Sequence, residues 1–105
     1  MKSLQSELRQ RLIELKNRYL PEGFVILGVF GSVARGDDRP ESDIDLLYQV
    51  EPSFLERYGG FAGLTRFDEI KQELMKALGR HVDLAPKNTA NRVLHDEIAR
   101  DVVYV

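Results

Sequence analysis

Leucines and a tyrosine recur at helical spacing near the start of the chain, at Leu4, Leu8, Leu12, Leu15 and Tyr19. Charged and amide side chains fill the positions between them, so this periodicity predicts an amphipathic helix. Pro21 and Gly23 are expected to end it. The apolar run FVILGVF at Phe24–Phe30 follows, and a continuous run of β-formers predicts a strand covered on both faces.

The remaining chain alternates between strand and helix patterns. Gly31 and Ser32 break the first strand and begin a short turn or helix. Further strands are predicted at DIDLLYQV (43–50), at HVDLA (81–85, closed by Pro86) and at VVYV (102–105), the last as a terminal strand or a docking tail.

Two more helices and one loop complete the predicted elements. Thr65 and Asp68 are spaced as a capping box that would open a helix, and Gly79 would end it. Residues 90–101 predict the last helix, and the Pro- and Gly-punctuated residues 51–63 predict a loop. Strands separated by helices predict an α/β (α+β) fold, with helices flanking a small mixed sheet, and the 105 residues predict one domain over 1–105.

Composition narrows the class of protein. The net charge of −2 and the pI near 5.7 argue against a domain that grips long nucleic acid. No apolar run approaches the ~20 residues of a membrane span, and the amphipathic start of the chain does not resemble a secretory signal. The chain has no cysteine, which excludes disulfides and thiolate metal sites. A cytoplasmic protein is therefore predicted.

Two acids in the second predicted strand need an explanation. Asp43 and Asp45 would share one face of that strand, with Cα atoms about 6.6 Å apart, because side chains alternate between faces. Desolvating two like charges is costly, and a divalent cation would offset their repulsion. Carboxylates suit Mg²⁺, with Mn²⁺ as an alternative.

The Gly31–Ser32 turn predicts a phosphate site. A strand that turns into a helix presents free backbone N–H groups and the positive end of a helix dipole. Gly31 would let a phosphate approach the backbone, and the Ser32 hydroxyl can bond a phosphate oxygen. No Gly-Lys-Ser/Thr follows, so this is not a Walker A loop. A metal with a triphosphate is the expected ligand.

Asp83 lies in another short apolar strand and is the candidate third acid of a two-metal site. If its strand lies beside that of Asp43 and Asp45, the three carboxylates form one cluster. Arg35 is open to two readings, as a phosphate or partner contact or as a surface arginine. His81 and His95 have no second histidine at ligand spacing and are interpreted as structural.

Three separated elements, GSVARG (31–36), SDIDL (42–46) and VDL (82–84), occur in this order. Together they closely resemble the signature of the minimal nucleotidyltransferases of the polymerase-β-like superfamily. The resemblance covers roughly residues 23–85. It implies the nucleotidyltransferase fold and transfer of a nucleoside monophosphate, commonly AMP from ATP. It places Gly31 and Ser32 on the triphosphate, Asp43 and Asp45 on two metal ions, and Asp83 at the catalytic metal and near the acceptor hydroxyl.

The short chain leaves no room for the helical domain of larger superfamily members. The resemblance therefore implies a separate partner, a HEPN toxin that an antitoxin of this family silences by AMPylating a tyrosine, as in type VII-like toxin–antitoxin pairs. Two alternatives stay open: transfer to a small-molecule hydroxyl, as in the aminoglycoside-modifying enzymes, and a non-catalytic antitoxin that neutralises by binding. Homo- and hetero-oligomers are both compatible with the sequence.

Overall fold

The computed structural model describes residues 4–105. Helix α1 spans Ser6–Tyr19, and a single 3₁₀ turn at Leu20–Glu22 leads into strand β1 at Phe24–Phe30. The later elements are α2 (Gly31–Arg35), β2 (Ile44–Val50), α3 (Pro52–Arg57), α4 (Phe61–Leu78), β3 (Val82–Pro86), α5 (Arg92–Asp101) and β4 (Val103–Tyr104). The predicted strands are confirmed, including the terminal one.

The four strands form one mixed sheet in the order β3-β2-β1-β4. Strand β1 pairs antiparallel with β2 and β4, whereas β2 and β3 run parallel. Antiparallel neighbours can be joined by a short connection, but parallel neighbours need a long crossover, which α3 and α4 supply. The predicted mixed sheet flanked by helices is confirmed.

Both faces of the sheet are covered. Ile44 and Leu46 of β2 point into the larger core, where residues of α1, α3 and α4 pack. Leu47 points to the opposite face and packs with Ile98 of α5 in a smaller core. This alternation puts the odd-numbered residues of β2, including Asp45, on the α5 face.

Residues 51–63 differ from their prediction as a loop, because they contain α3 and the beginning of α4. Helix α4 begins at Phe61, so the capping box predicted at Thr65 and Asp68 is wrong. Gly79 does end this helix, in the left-handed conformation that favours glycine. Across residues 4–105, no helix combines the length and the apolarity that crossing a membrane requires.

Candidate active site

Strand β2 carries the two acids at its beginning. The strand starts at Ile44, one residue later than predicted, so Asp43 precedes it and Asp45 is its second residue. Both are partly buried. The predicted alternation is confirmed, since Ile44 and Leu46 enter the core on the other face.

Strand β3 brings the third acid to the same place. Asp83 lies directly opposite Asp45 in the parallel pair, and Val82 lies opposite Ile44. The Ile44 N–H donates a 2.9 Å hydrogen bond to the carbonyl of His81, which fixes this register. Neighbouring strands are about 4.8 Å apart, so the three carboxylates that sequence analysis grouped do form one cluster.

His81 is the member of this cluster that sequence reasoning missed. Its Nδ1 lies 3.3 Å from an Asp43 carboxylate oxygen and 3.8 Å from one of Asp83. The interpretation of His81 as a structural residue stays a prediction, although its ring lies half exposed beside two acids. His95 lies apart, on α5 beside Asp96. Asp43, Asp45, His81 and Asp83 are called the Asp–His block below.

Within the Asp–His block, the carboxyl group of Asp45 has a raised pKa. Its pKa is raised from 3.8 to about 6, first by partial burial and then by the negative charges of Asp83, Glu97 and Asp43. Arg35 opposes this shift. A carboxylate among three other acids is unfavourable in the ionised state, and a cation placed between them would remove the penalty.

The glycine-serine turn adjoins this block. Phe30, the last residue of β1, pairs with Asp45, and α2 begins at the next residue, Gly31. Gly31 has φ +76°, and a β-carbon there would overlap the Asp45 carboxylate. Ser32 is partly buried in the first turn of α2, where a helix has N–H groups without partners inside the helix. Donors for an anion and carboxylates for a cation thus lie side by side.

Arg35 connects two helices. At the end of α2 its Nη1 donates a 2.7 Å hydrogen bond to Asp101 of α5, and its Nε donates to Asp37. Asp101 is buried and also accepts from Arg100. These bonds lower the pKa of Asp101 to about 2, with the Arg100 bond as the largest cause. The sequence-based prediction that Arg35 binds the nucleotide stays a prediction.

The donor set fits a divalent cation. One ligand atom each of Asp43, His81 and Asp83 lies within 4.8 Å of the others, and Asp45 adjoins Asp83 in register. Carboxylate oxygens are the ligands that Mg²⁺ and Mn²⁺ prefer, and Mg²⁺ sites commonly use one or two carboxylates together with substrate phosphates.

Comparison with known proteins agrees with this geometry. Residues 7–104 match the family described as "Nucleotidyltransferase domain". The chain is 31% identical over 105 residues to "Protein adenylyltransferase MntA" of Thermococcus cleftensis, an alignment that covers all of this chain and 95% of that protein.

Solved structures share the fold. A structure assigned as a minimal nucleotidyltransferase aligns with a TM-score of 0.70 and 29% identity, over 98% of this chain and 97% of that one. A toxin–antitoxin structure with AMP-PNP aligns with a TM-score of 0.64 over 90% of this chain and 69% of that one. At 23% identity, the latter likeness supports the fold alone.

Proposed function

Because this chain belongs to the nucleotidyltransferase domain family, we propose that it transfers AMP from ATP to the hydroxyl of a tyrosine on a partner HEPN toxin, as the antitoxin of that pair. The observation that carries the proposal is the register of β2 and β3. It sets Asp45 opposite Asp83, with the Gly31–Ser32 turn alongside. A triphosphate needs both halves of this arrangement, N–H donors for its oxygens and carboxylates for its metal ions.

The three predicted acids and the Gly31–Ser32 turn each have a role in this proposal. Asp43, Asp45 and Asp83 hold two Mg²⁺ ions, with Mn²⁺ as the alternative. Gly31 and Ser32 bind the triphosphate. When bound by these residues, the ions would supply positive charge to the phosphates and to the attacking and leaving oxygens.

The reaction is a displacement at the α-phosphorus of ATP. The acceptor oxygen bonds to this phosphorus while the bond to the bridging oxygen of pyrophosphate breaks. The proton of the acceptor hydroxyl passes to the Asp83 carboxylate, and pyrophosphate leaves. The Asp83 side chain is half exposed, so an acceptor from outside the chain can reach it.

The comparisons support the acceptor class and the partner. The relative from Thermococcus cleftensis is named a protein adenylyltransferase, and it matches this chain over its full length. The toxin–antitoxin structure with AMP-PNP has the same fold and pairs an ATP analogue with a toxin partner. The relative favours a protein as the acceptor of the adenylyl group, and the toxin–antitoxin structure is an example of the same fold beside an ATP analogue.

The test uses α-labelled ATP and Mg²⁺, with and without the partner toxin. We expect label on a partner tyrosine. Asp83→Asn and the double variant Asp43→Asn/Asp45→Asn should reduce labelling by about 10³-fold or more, since they remove ligands of the ions that stabilise the transition state. Asp68→Asn is the matched control, because Asp68 is exposed on α4, which packs on the other sheet face.

Other outcomes would identify the alternatives. Label on an aminoglycoside but on no protein would indicate a small-molecule acceptor. If Asp43→Ala/Asp45→Ala still neutralised the toxin, the chain would act by binding alone. The absence of label from every acceptor would contradict both enzymatic functions.

A further inference from the structure

We propose that His81 is a nitrogen ligand of the divalent cation at Asp43 and Asp83, and that it shifts the preference of this position from Mg²⁺ towards Mn²⁺. The inference deepens the proposed function and rests on it only in requiring that the site bind a divalent cation. It concerns which metal the chain selects, not which acceptor it uses.

The backbone itself places the imidazole among the acids. Ile44 and Val82 are register partners, so the residues before them, Asp43 and His81, face each other across the two strands. Side chains two residues apart along a strand share a face. Asp45 and Asp83 therefore lie on the same face as Asp43 and His81, and the four residues form a two-by-two arrangement.

The spacing of the donor atoms suits one shared ion. Ligands about 2.1 Å from a common ion lie about 3 Å apart when adjacent and about 4.2 Å apart when opposite. The Nδ1 of His81 lies 3.3 Å from the Asp43 oxygen and 3.8 Å from the Asp83 oxygen, both within this interval. A small adjustment of exposed side chains completes the coordination.

No other contact in the described part of the chain accounts for this convergence. The side chains of Asp43, His81 and Asp83 make no hydrogen bond to any of residues 4–105, although the His81 ring lies close to both carboxylates. Within the same residues, no lysine or arginine nitrogen comes within 4.0 Å of the Asp43 or Asp83 carboxylate. Three side chains whose ligand atoms lie within 4.8 Å of one another are what a metal ion would use.

The ligand types then determine selectivity. Mg²⁺ prefers oxygen ligands and gains little from an imidazole, whereas first-row transition ions accept imidazole nitrogen readily. Replacing one carboxylate by a neutral imidazole also leaves a less negative site, which weakens binding of the harder ion. An Asp–His–Asp position therefore favours Mn²⁺ in comparison with an all-carboxylate position.

The test measures nitrogen coordination directly. Electron spin echo envelope modulation of the protein with Mn²⁺ as the only added metal should show a ¹⁴N coupling from a directly bound imidazole. The chain has only two histidines, so His81→Ala should abolish this coupling and His95→Ala should retain it. His81 is half exposed, and circular dichroism would check that each variant folds.

Selectivity is measured by titrating free Mn²⁺ in competition with Mg²⁺. We expect His81→Ala to weaken Mn²⁺ binding about tenfold while Mg²⁺ binding changes less than about threefold. His81→Asp, which restores an oxygen ligand, should move the preference further towards Mg²⁺. Wild-type protein without ¹⁴N coupling, or a coupling that persists in His81→Ala, would overturn the proposal.

These readouts are independent of AMP transfer. A ¹⁴N coupling in a protein that labels no acceptor would support the His81 assignment while contradicting the proposed function. AMP transfer by a protein that shows no ¹⁴N coupling would support the proposed function and contradict the assignment of His81 as a ligand.

Discussion

The carboxylate of Asp45 lies against the α-carbon of Gly31, in the space that a β-carbon at residue 31 would occupy. The contact joins the first turn of α2 to the middle of the Asp–His block. It exists because Phe30 pairs with Asp45 at the end of β1. The turn and the acids therefore behave as one structural unit, and a change in one must disturb the other.

Gly31→Ala should disrupt this unit. The added β-carbon would collide with Asp45, and φ +76° at residue 31 is strained for any L side chain. Gly36→Ala is a matched control, because Gly36 has φ +79° but open space around it. Both variants should lose about 1–2 kcal/mol of unfolding free energy from backbone strain, whereas only Gly31→Ala should lose most of its AMP transfer. Urea unfolding and α-labelled ATP assays measure the two effects, and equal activity losses would contradict the explanation.

Asp45→Asn should stabilise the metal-free protein at neutral pH. The folded pKa of Asp45, about 6, lies above its ordinary value of 3.8, so the folded state holds this proton more tightly than the unfolded state. Unfolding free energy should therefore fall as pH rises from about 4 to about 6, and the Asp45→Asn substitution should remove that fall. Discounted for partial exposure, the gain at pH 7 is about 1–2 kcal/mol. Urea unfolding in EDTA between pH 4 and pH 8 measures this gain. If the unfolding free energies of the wild-type protein and Asp45→Asn changed in parallel with pH, the prediction would be refuted.

Arg35 and Asp101 give a test of whether Arg35 binds the nucleotide or positions α2. If Arg35 acts through its 2.7 Å bond to Asp101, Arg35→Gln and Asp101→Asn should raise the KM for ATP similarly. The double variant should then be no worse than either single one, as expected of two residues that share one interaction. Additive effects on KM would instead indicate direct contact between Arg35 and a phosphate. Arg100→Gln is the control, since Arg100 also bonds Asp101 but is two-thirds exposed.

Glu22 should contribute to stability in a pH-dependent way. It accepts hydrogen bonds from Arg66 at 2.7 Å and from Tyr58 at 2.7 Å, and its pKa falls from 4.5 to about 2, mainly through the Arg66 bond. A lowered carboxylate pKa stabilises the folded protein above the unfolded value, and this contribution is lost as pH falls from about 4.5 towards 2. Glu22→Gln should cost about 2 kcal/mol at pH 7 and much less near pH 2.

Urea unfolding at both pH values would measure the Glu22 effect. Glu69→Gln serves as its control, because Glu69 contacts the same arginine at 3.3 Å from an exposed position. This variant should change the unfolding free energy by less than about 0.5 kcal/mol. A loss for Glu22→Gln that is the same at pH 7 and pH 2 would assign its role to packing instead of charge.

Periodicity predicts the strands and the shared face of Asp43 and Asp45 because both depend on local alternation. Alternation along β2 puts Asp45 on the face opposite Ile44 and Leu46, together with Leu47. Periodicity does not predict whether β2 and β3 are neighbours. The structure shows that they pair in parallel.

The beginning of α4 could not be predicted in the same way. Phe61 and Leu64 are exposed, so they break the apolar stripe that identifies a helix. Gly63 suggests a loop, yet it is inside the helix, where a β-carbon would collide with the Tyr58 carbonyl. A glycine is required at residue 63 because the backbone of the α3–α4 connection, at Tyr58, passes close to it. Only the tertiary structure reveals this close approach.

His81 was missed for a related reason. Spacing along one element reveals pairs such as His81 and Asp83, but the acid nearest to the His81 ring, Asp43, lies just before another strand. The alternating His-Val-Asp of residues 81–83 was the available signal, since it sets a histidine and an acid on one face of a strand.

The crossover between β2 and β3 has a consequence for how the protein folds. Gly31, Asp43 and Asp45 are close in sequence and meet through an antiparallel pair, which closes early at small entropic cost. His81 and Asp83 join them only after α3 and α4 have carried the chain back to the sheet. A cation held by both strands would thus stabilise a parallel pairing between residues that lie 38 positions apart in the sequence, such as Ile44 and Val82. The Asp–His block forms only when β3 joins β2, so a cation bound by the block would link metal affinity to the stability of this strand pair.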